Sequence, residues 1–372
     1  EQQSSFIAKF DKLGNKKWLR KYTDSFSSNQ GTKLAYENGS IYITGFFLNA
    51  ANTDDINDPN NRIARYGTFK IQNEQGGSIF SKISYCNYPQ INKTYYQGDY
   101  LWLAKFDSSG NFVFHKQLTK NRGICPQNPQ DFIGFSQSVI STNIKVRNDK
   151  LWLSMNMSGS GTTFELDNGF TSNNFSDLVF VKLNKDDGNI QKTEVISSQN
   201  ITSIYFKIVN FEIDSQSNLI ICSTNGHPNS YASSMTFGTT TINFTQHELF
   251  VAKYNETNGW VWIRQSNNYT YFVQENHQLS IDNQDNIVLQ VKLRSNTIFS
   301  LAGINSQSVN YDCSDFILGI FKMSSAGQGL WLNTLEGVSA WSGGSTNTNE
   351  KMIGFDSNNN VYVLSYAQNV GC

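Results

Sequence analysis

The pattern that repeats along this chain is first seen in Phe6-Ile-Ala-Lys-Phe-Asp-Lys-Leu-Gly-Asn-Lys-Lys-Trp18-Leu-Arg-Lys-Tyr22. Its alternating apolar residues predict a strand, Asp-x-x-Gly-Asn predicts a tight turn, and a second strand carries the tryptophan. The block occurs five times at intervals of roughly 70 to 100 residues, the size of a large repeated unit. Its lysine recurs as Lys9, Lys105, Lys182, Lys253 and Lys322.

A second motif alternates with the first. It is an apolar strand that ends in Asp, then a polar turn, then Asn and another apolar strand. Clear copies begin their turns at Asp214, Asp282 and Asp356, and weaker copies occupy 34–43 and 144–153. Each unit therefore predicts two hairpins, or four strands, with Gly, Asn and Asp where tight turns need positive φ.

A third, shorter β-like piece lies between the two hairpins of three units, at 162–166, 235–244 and 297–304. In the first unit the long segment 49–99 takes its place, and this is the most irregular part of the chain.

Four-stranded units repeated radially predict an all-β fold, a β-propeller of five blades in a single domain, 1–372, with 49–99 as an insertion in the first blade. The chain starts with a hairpin of the first motif, 6–22, and ends with a hairpin of the second motif, 351–366. Joined, they make one complete unit, so we expect the N-terminal and C-terminal hairpins to share one blade and to close the ring without an open sheet edge.

These blocks resemble the SBBP-type β-propeller repeat, whose theme is Phe-Val-Ala-Lys-Leu-Asp…Gly-Asn…Trp followed by Val-Asp…Gly-Asn-Val-Tyr-Val-Thr-Gly. Ile41-Tyr-Ile-Thr-Gly45 is similar to the last piece, and the resemblance covers most of the chain outside about 49–99. Met323 departs from the Asp of the turn, and the first two copies of the second motif are degraded. The resemblance implies an extracellular or cell-surface protein without shared catalytic residues.

Composition narrows the classes of partner. The formal net charge is -1 and charged residues are 16%, so no strong field would steer the chain to nucleic acid or to an anionic membrane. No apolar run approaches the roughly 20 residues of a bilayer span. Residue 1 is Glu rather than Met, which we interpret as a removed signal peptide.

Each residue that could bind a ligand could instead have a purely structural role. Oxygen-bearing side chains near glycine turns could bind calcium, but capping of their own turns is favoured, since no copy has the EF-hand pattern. These residues are Asp107, Asn184, Asp214, Asn255, Asp282 and Asp356.

Tryptophans at repeated strand positions could stack on sugars, and packing between units is favoured for Trp18 and Trp331. For Trp341, beside Ser-Gly-Gly-Ser, the two interpretations are balanced. The other strand tryptophans are Trp102, Trp152, Trp260 and Trp262.

A glycoside hydrolase would need two converging carboxylates, and no pair is distinguished among Glu165, Glu212, Glu248, Glu275 and Glu350. The four histidines form no His-Glu-x-x-His motif, and there is no nucleophile elbow, P-loop or dinucleotide fingerprint. The sequence therefore predicts no catalytic residue, no metal site and no cofactor.

The cysteines and the glycosylation sequons are the residues that would be modified if the protein is exported from the cell. We predict the pairs Cys86–Cys125 and Cys313–Cys372, and a buried free thiol at Cys222. The number of sequons is about what chance gives for this composition. The candidate glycosylation sites are Asn38, Asn92, Asn174, Asn200, Asn243, Asn255 and Asn268, with Asn156 a poorer one because it lies in a strand.

We predict a contact surface for a protein partner, for self-association or for glycans at Arg62, Arg65, Tyr66, Tyr88, Tyr95 and Trp341. The functional expectation is a non-catalytic extracellular or cell-surface structural and interaction module, able to assemble into a surface fibre or matrix. The alternatives are a lectin-like carbohydrate-binding propeller and a five-bladed glycoside hydrolase.

Overall fold

The protein is described from a computed structural model. It describes residues 4–24, 29–47, 67–84, 86–88, 93–95, 100–119, 138–158, 164–172, 177–199, 209–227, 230–245, 248–267, 278–294, 300–305, 316–339 and 353–364. All regular structure in these ranges is β.

The strands of the first half of the chain are β1 (Ser4–Phe10), β2 (Lys16–Asp24), β3 (Asn29–Glu37), β4 (Ser40–Phe47), β5 (Gly67–Gln72), β6 (Ser78–Ser84), β7 (Cys86–Tyr88), β8 (Lys93–Tyr95), β9 (Tyr100–Asp107), β10 (Phe112–Gln117), β11 (Ser138–Arg147), β12 (Lys150–Ser158), β13 (Phe164–Glu165), β14 (Thr171–Ser172), β15 (Leu178–Leu183) and β16 (Ile190–Gln199).

The strands of the second half are β17 (Asn210–Ile213), β18 (Leu219–Thr224), β19 (Gly226–His227), β20 (Ser230–Tyr231), β21 (Ser234–Phe237), β22 (Thr240–Asn243), β23 (Leu249–Asn255), β24 (Gly259–Gln265), β25 (Gln278–Ile281), β26 (Ile287–Arg294), β27 (Ser300–Leu301), β28 (Ile304–Asn305), β29 (Phe316–Met323), β30 (Gly329–Ser339), β31 (Ile353–Phe355) and β32 (Val361–Val363).

The repeated unit is a four-stranded antiparallel sheet, as the two motifs predict. The orders are β3-β4-β9-β10, β11-β12-β15-β16, β17-β18-β23-β24 and β25-β26-β29-β30. The second motif forms the first two strands of each sheet, which we call the inner hairpin. The lysine motif forms the last two strands, which we call the outer hairpin.

The core lies between successive sheets. Apolar clusters fill the gaps, for example Leu103 and Val181 in one and Phe180 and Phe250 in the next. The first strands of the inner hairpins lie side by side in chain order, β3 against β11, β11 against β17, β17 against β25 and β25 against β31. Sheets that pack face to face with their first strands adjacent define a β-propeller-like repeat fold.

A short hairpin from each connection covers the sheet before it. We call β5–β6, β13–β14, β21–β22 and β27–β28 the edge hairpins. The strands β5 and β21 pair with the outer strands β2 and β16 of the preceding sheets. The other two edge hairpins bridge to Thr119 and Asn267, just beyond β10 and β24. These are the third β-like pieces of the sequence.

The structure corrects one sequence prediction. The segment 49–99 does not replace the third piece, because it contains β5–β6, a longer edge hairpin in the same place. The terminal hairpins, which the sequence predicts to share one blade, lie in separate sheets within the described residues. There β2 pairs with β5, β31–β32 forms a two-stranded sheet, and the second edge of β1 pairs with no described strand.

Candidate functional site

The motif lysines hold each sheet to the next one. The ammonium group of Lys9 donates to the carbonyl of Ser108 at 2.7 Å, and Lys105 donates to the carbonyl of Lys185 at 2.8 Å. Lys253 reaches the carbonyl of Ser325 at 3.4 Å. Lys182 instead pairs with the Glu256 side chain. For these four lysines the partner is the second residue of the next outer-hairpin turn, a role that sequence reasoning missed. Lys322 pairs instead with Asp282 of its own sheet.

Trp18, opposite Lys9, and Trp262, opposite Lys253, each pack on the glycine of that next turn. A Cβ at Gly110 would lie 2.6 Å from the Trp18 ring, and one at Gly327 would lie 2.8 Å from the Trp262 ring. Arg20 donates to the Gly110 carbonyl at 2.8 Å. Packing between units is therefore confirmed for Trp18 and extends to Trp262, and Trp102 and Trp152 are buried at 1% exposure.

The aspartates of the inner-hairpin turns cap those turns, as predicted. Asp214 accepts from the backbone N–H of Gln216 and Asn218 at 3.0 and 2.8 Å, and lies 2.9 Å from the Lys253 ammonium group. Burial alone would raise the pKa of Asp282, but hydrogen bonds from Asn286 and Lys322 outweigh it and hold that pKa below its ordinary value. Backbone donors and a lysine occupy these carboxylates, which is the chemistry of a structural turn.

All the hairpin turns lie at one end of the sheets. Antiparallel pairing of the second and third strands puts both turns of a sheet at the same end, and Asn255 of one turn donates to Asn218 of the other at 2.6 Å. Neighbouring sheets are joined there too, since Asn148 donates to the Ser215 carbonyl at 2.8 Å. Hydrogen bonds therefore join turns within and between sheets at this end. The strand ends from which the connecting segments leave are at the opposite end, which we call the loop end.

The innermost strands carry polar side chains where a core would be apolar. We call this set the inner polar belt, and it comprises Asn143, Lys145, Asn210, Glu212, Gln278 and Ser280. The ammonium group of Lys145 on β11 lies 2.6 Å from the Glu212 carboxylate on β17. Asn210 is 6% exposed, although it is polar and opposite buried Cys222.

Beside the last hairpin, part of the belt is buried and unpaired. Gln278 and Gln290 are directly opposite each other on β25 and β26, and Ser280 follows on the same face. Their exposures are 4%, 5% and 0%. The Nε2 of Gln278, the Oγ of Ser280 and the Oε1 of Gln290 have no hydrogen-bond partner in the described chain. We call these three residues the polar cluster.

Among the candidate glycosylation sites, Asn38 is exposed in a turn and Asn243 is exposed at the end of β22. The Asn255 amide nitrogen donates to another side chain, so a glycan there would break that bond. Asn156 is buried at 1% exposure. The remaining candidates Asn92, Asn174, Asn200 and Asn268 lie outside the described residues.

The predicted contact surface falls almost entirely outside the described chain. Of its residues, only Tyr88 and Tyr95 have a described backbone, in β7 and β8, and Arg62, Arg65, Tyr66 and Trp341 do not.

Of the cysteines, Cys86 begins β7, while Cys125, Cys313 and Cys372 lie outside the described ranges. Cys222 is buried and in no disulfide within the described residues, and burial raises the pKa of its thiol.

The carboxylates proposed for glycoside hydrolysis do not converge in the part of the chain that is described. Glu212 pairs with Lys145, and Glu248 accepts hydrogen bonds from Gln265 and Thr245. Across the described ranges, no three His, Cys, Asp or Glu side chains lie close enough to hold a metal ion. Nor do those ranges contain a helix with the length and hydropathy of a membrane span.

Comparisons with known proteins give little beyond the fold. No protein family matches the chain, and no curated protein matches it as a relative. Among solved structures, the quinohemoprotein alcohol dehydrogenase from Comamonas testosteroni is similar with a TM-score of 0.31 and 10% identity. The match covers 91% of this chain and 46% of that one, so this chain spans about half the length of the structure that it resembles.

The comparisons do not support the predicted function, and that prediction is withdrawn. The similar structure is an alcohol dehydrogenase, and none of the comparisons gives evidence for an extracellular structural module that assembles into a fibre or matrix. A similarity with a TM-score of 0.31 assigns no activity to this chain.

Proposed function

We propose that this chain is a binding protein rather than an enzyme, and that its site is the inner polar belt. We further propose that the sheets form five sectors around one axis, so that the belt surrounds a central passage. The polar cluster supports the proposal. An unpaired buried polar group costs about 1–3 kcal/mol, and a ligand that pairs it recovers that cost.

The cluster suits a small, uncharged ligand that carries an amide. Gln278 offers an N–H donor, Gln290 a carbonyl acceptor, and Ser280 a hydroxyl that can do either. The carbonyl of an amide accepts from Gln278 while its N–H donates to Gln290. Gly354 holds in the neighbouring strand β31 the place that Ser280 holds in β25, and a Cβ added at Gly354 meets nothing within 4 Å.

The carboxylates near the belt support binding over catalysis. Glu212 is held by Lys145 at 2.6 Å, and Asp214 and Asp282 each pair with a motif lysine at 2.9 Å while capping a turn. A general acid or base must be able to exchange its proton with a substrate. These side chains are committed to neighbouring sheets and turns.

The test is a thermal-shift titration with L-glutamine, using L-glutamate as the charged comparison. We expect L-glutamine to raise the melting temperature more than L-glutamate does. The double variant Gln278→Leu, Gln290→Leu should remove that difference, since leucine keeps the volume and loses the polar groups. Gln191→Leu, at an exposed position on β16, is the matched control. Equal shifts from both amino acids, or a difference that survives in the double variant, would refute the proposal.

We also propose that the protein is exported, carries glycans at Asn38 and Asn243, and meets a protein partner at its loop end. The exposure of both asparagines supports this. Mass mapping of the protein from its native source, without reduction and before and after glycan removal, checks it. Unmodified Asn38 and Asn243 together with five free thiols would contradict it.

A further inference from the structure

Four exposed apolar side chains lie on the terminal strands β1 and β32 or directly after β32. Phe6 is 69% exposed and Phe10 58%, and Tyr362 and Leu364 reach 60% and 72%. The counterparts of Phe10, one residue after each motif lysine, are all buried to 2% or less: Phe106, Leu183, Tyr254 and Met323. The counterparts of Tyr362 are buried to 1% or less: Tyr42, Trp152, Ile220 and Val288. In the four complete sheets both positions lie where the inner and outer hairpins pair, and the counterparts of Tyr362 are opposite the motif lysines.

The register of that pairing is the same in all four complete sheets. The residue after the motif lysine lies opposite the start of the second inner strand, in the pairs Ile41 with Phe106, Leu151 with Leu183, Leu219 with Tyr254, and Ile287 with Met323. In the terminal hairpins the same positions are Phe10 and Val361. The repeat therefore specifies one register for β1 and β32.

The lysine contacts show what the terminal hairpins lack. Lys253 makes two contacts, one with Asp214 in its own sheet at 2.9 Å and one with the next outer turn. Within the described residues, Lys9 makes only the second kind, to the Ser108 carbonyl. In the same ranges Lys322 makes only the first kind, to Asp282 at 2.9 Å.

Both missing partners lie on the opposite terminal hairpin. The aspartate that corresponds to Asp214 for Lys9 is Asp356, which caps its turn through Asn358 and Asn360 and has no lysine partner in the described chain. The carbonyl that corresponds to Ser325 for Lys322 belongs to Lys12, the second residue of the β1–β2 turn. Charge and hydrogen-bonding capacity are thus complementary across the two ends.

A third contact has the same form. Trp331 lies opposite Lys322, as Trp262 lies opposite Lys253. Trp262 packs on Gly327, and the corresponding glycine for Trp331 is Gly14, with φ of +83° and nothing within 4 Å of an added Cβ. Gly14 therefore has the backbone of a glycine that receives a tryptophan, and open space in which to receive one.

We propose that β32 pairs antiparallel with β1 to give a sheet of order β31-β32-β1-β2, with Val361 opposite Phe10 and Val363 opposite Ala8. In this state Lys9 pairs with Asp356, Lys322 donates to the Lys12 carbonyl, and Trp331 packs on Gly14. The inference is independent of the ligand proposed above, because it concerns the chain ends and needs no occupant in the belt.

Cysteine cross-linking tests the register. In a chain with Cys86, Cys125, Cys313 and Cys372 replaced by Ser, we introduce Ala8→Cys with Val363→Cys, and separately Ile7→Cys with Leu364→Cys. Adjacent antiparallel pairs alternate between two geometries, so one of the two variants has the shorter spacing. Oxidised glutathione should form an intramolecular disulfide in at least one. The offset control, Ala8→Cys with Leu364→Cys, should form none because its side chains point to opposite faces.

A stability measurement keeps the test open if the cysteine variants fail to fold. In the otherwise unchanged chain, Gly14→Ala should lower the denaturant midpoint as much as Gly327→Ala, whose glycine receives Trp262. It should exceed Gly259→Ala, whose added Cβ meets nothing within 4 Å. Disulfides that link two chains, or a Gly14→Ala variant that matches Gly259→Ala, would overturn the proposal.

Discussion

Replacing Gly327 by Ala should destabilise the protein by about 2–5 kcal/mol. Its φ is +76°, and holding an L-residue in this left-handed region costs about 1–2 kcal/mol. The new Cβ would also lie 2.8 Å from the Trp262 ring, so the ring must move, and such overpacking costs about 1–3 kcal/mol.

Gly259→Ala is the matched control, because Gly259 has a φ of +74° and open space around the new Cβ. We expect it to cost only the backbone term, about 1–2 kcal/mol. Both variants are compared with the unchanged chain by urea unfolding followed by tryptophan fluorescence and circular dichroism, since coincident transitions establish a single unfolding step.

The difference between the unfolding free energies of the two variants measures how much the contact between Trp262 and the next turn contributes. In a Trp262→Ala background that difference should disappear, because the ring that the methyl group meets is gone. If both glycine variants cost the same in the unchanged chain, the packing of tryptophan on the next turn is not what requires glycine at this position.

Three further predictions follow from the lysines, aspartates and buried thiol. Lys253→Met should lower the free energy of unfolding in urea by about 3–5 kcal/mol, because it leaves Asp214 buried without its partner. Lys16→Met, which removes one side of an exposed pair, should lower it by at most about 1 kcal/mol. Equal losses in the two variants would contradict this. Asp282 has a folded pKa below its unfolded value near 3.9, so its contribution is present above that value and is lost as pH falls through the folded pKa. Asp282→Asn should therefore flatten the loss of stability between pH 5 and 2, and an unchanged profile would count against it. Cys222 should resist iodoacetamide in the native protein and react on unfolding in urea, since its thiol is fully buried, and rapid native labelling would show an accessible sheet interior.

The repeat could be predicted because the side chains that define it act locally, within their own turn or strand. An Asp that caps its own turn needs only the next four residues, so Asp214, Asp282 and Asp356 were identified correctly as turn residues. Alternation within strands likewise predicted the four-stranded sheets. Both signals are short-range, and a single sequence records them directly.

The contacts between sheets could not be predicted in the same way. Lys9 and Lys105 donate to main-chain carbonyls of Ser108 and Lys185, and a carbonyl leaves no side-chain signature at its position. The edge hairpin β5–β6 was concealed by the length of the segment around it. The polar cluster gave no signal, because a Gln such as Gln278 in a strand is equally consistent with a solvent-facing position.

The edge hairpins have a consequence for dividing the molecule. Two of them, β5–β6 and β21–β22, come from the connection inside one sheet but pair with the outermost strand of another. Removing the sheet that contains such a hairpin therefore also uncovers a strand that remains. Deleting β17–β24 also deletes β21–β22, and that exposes the hydrogen-bonding groups of β16 on the sheet that remains. A truncated fragment would therefore carry a bare strand edge that favours aggregation.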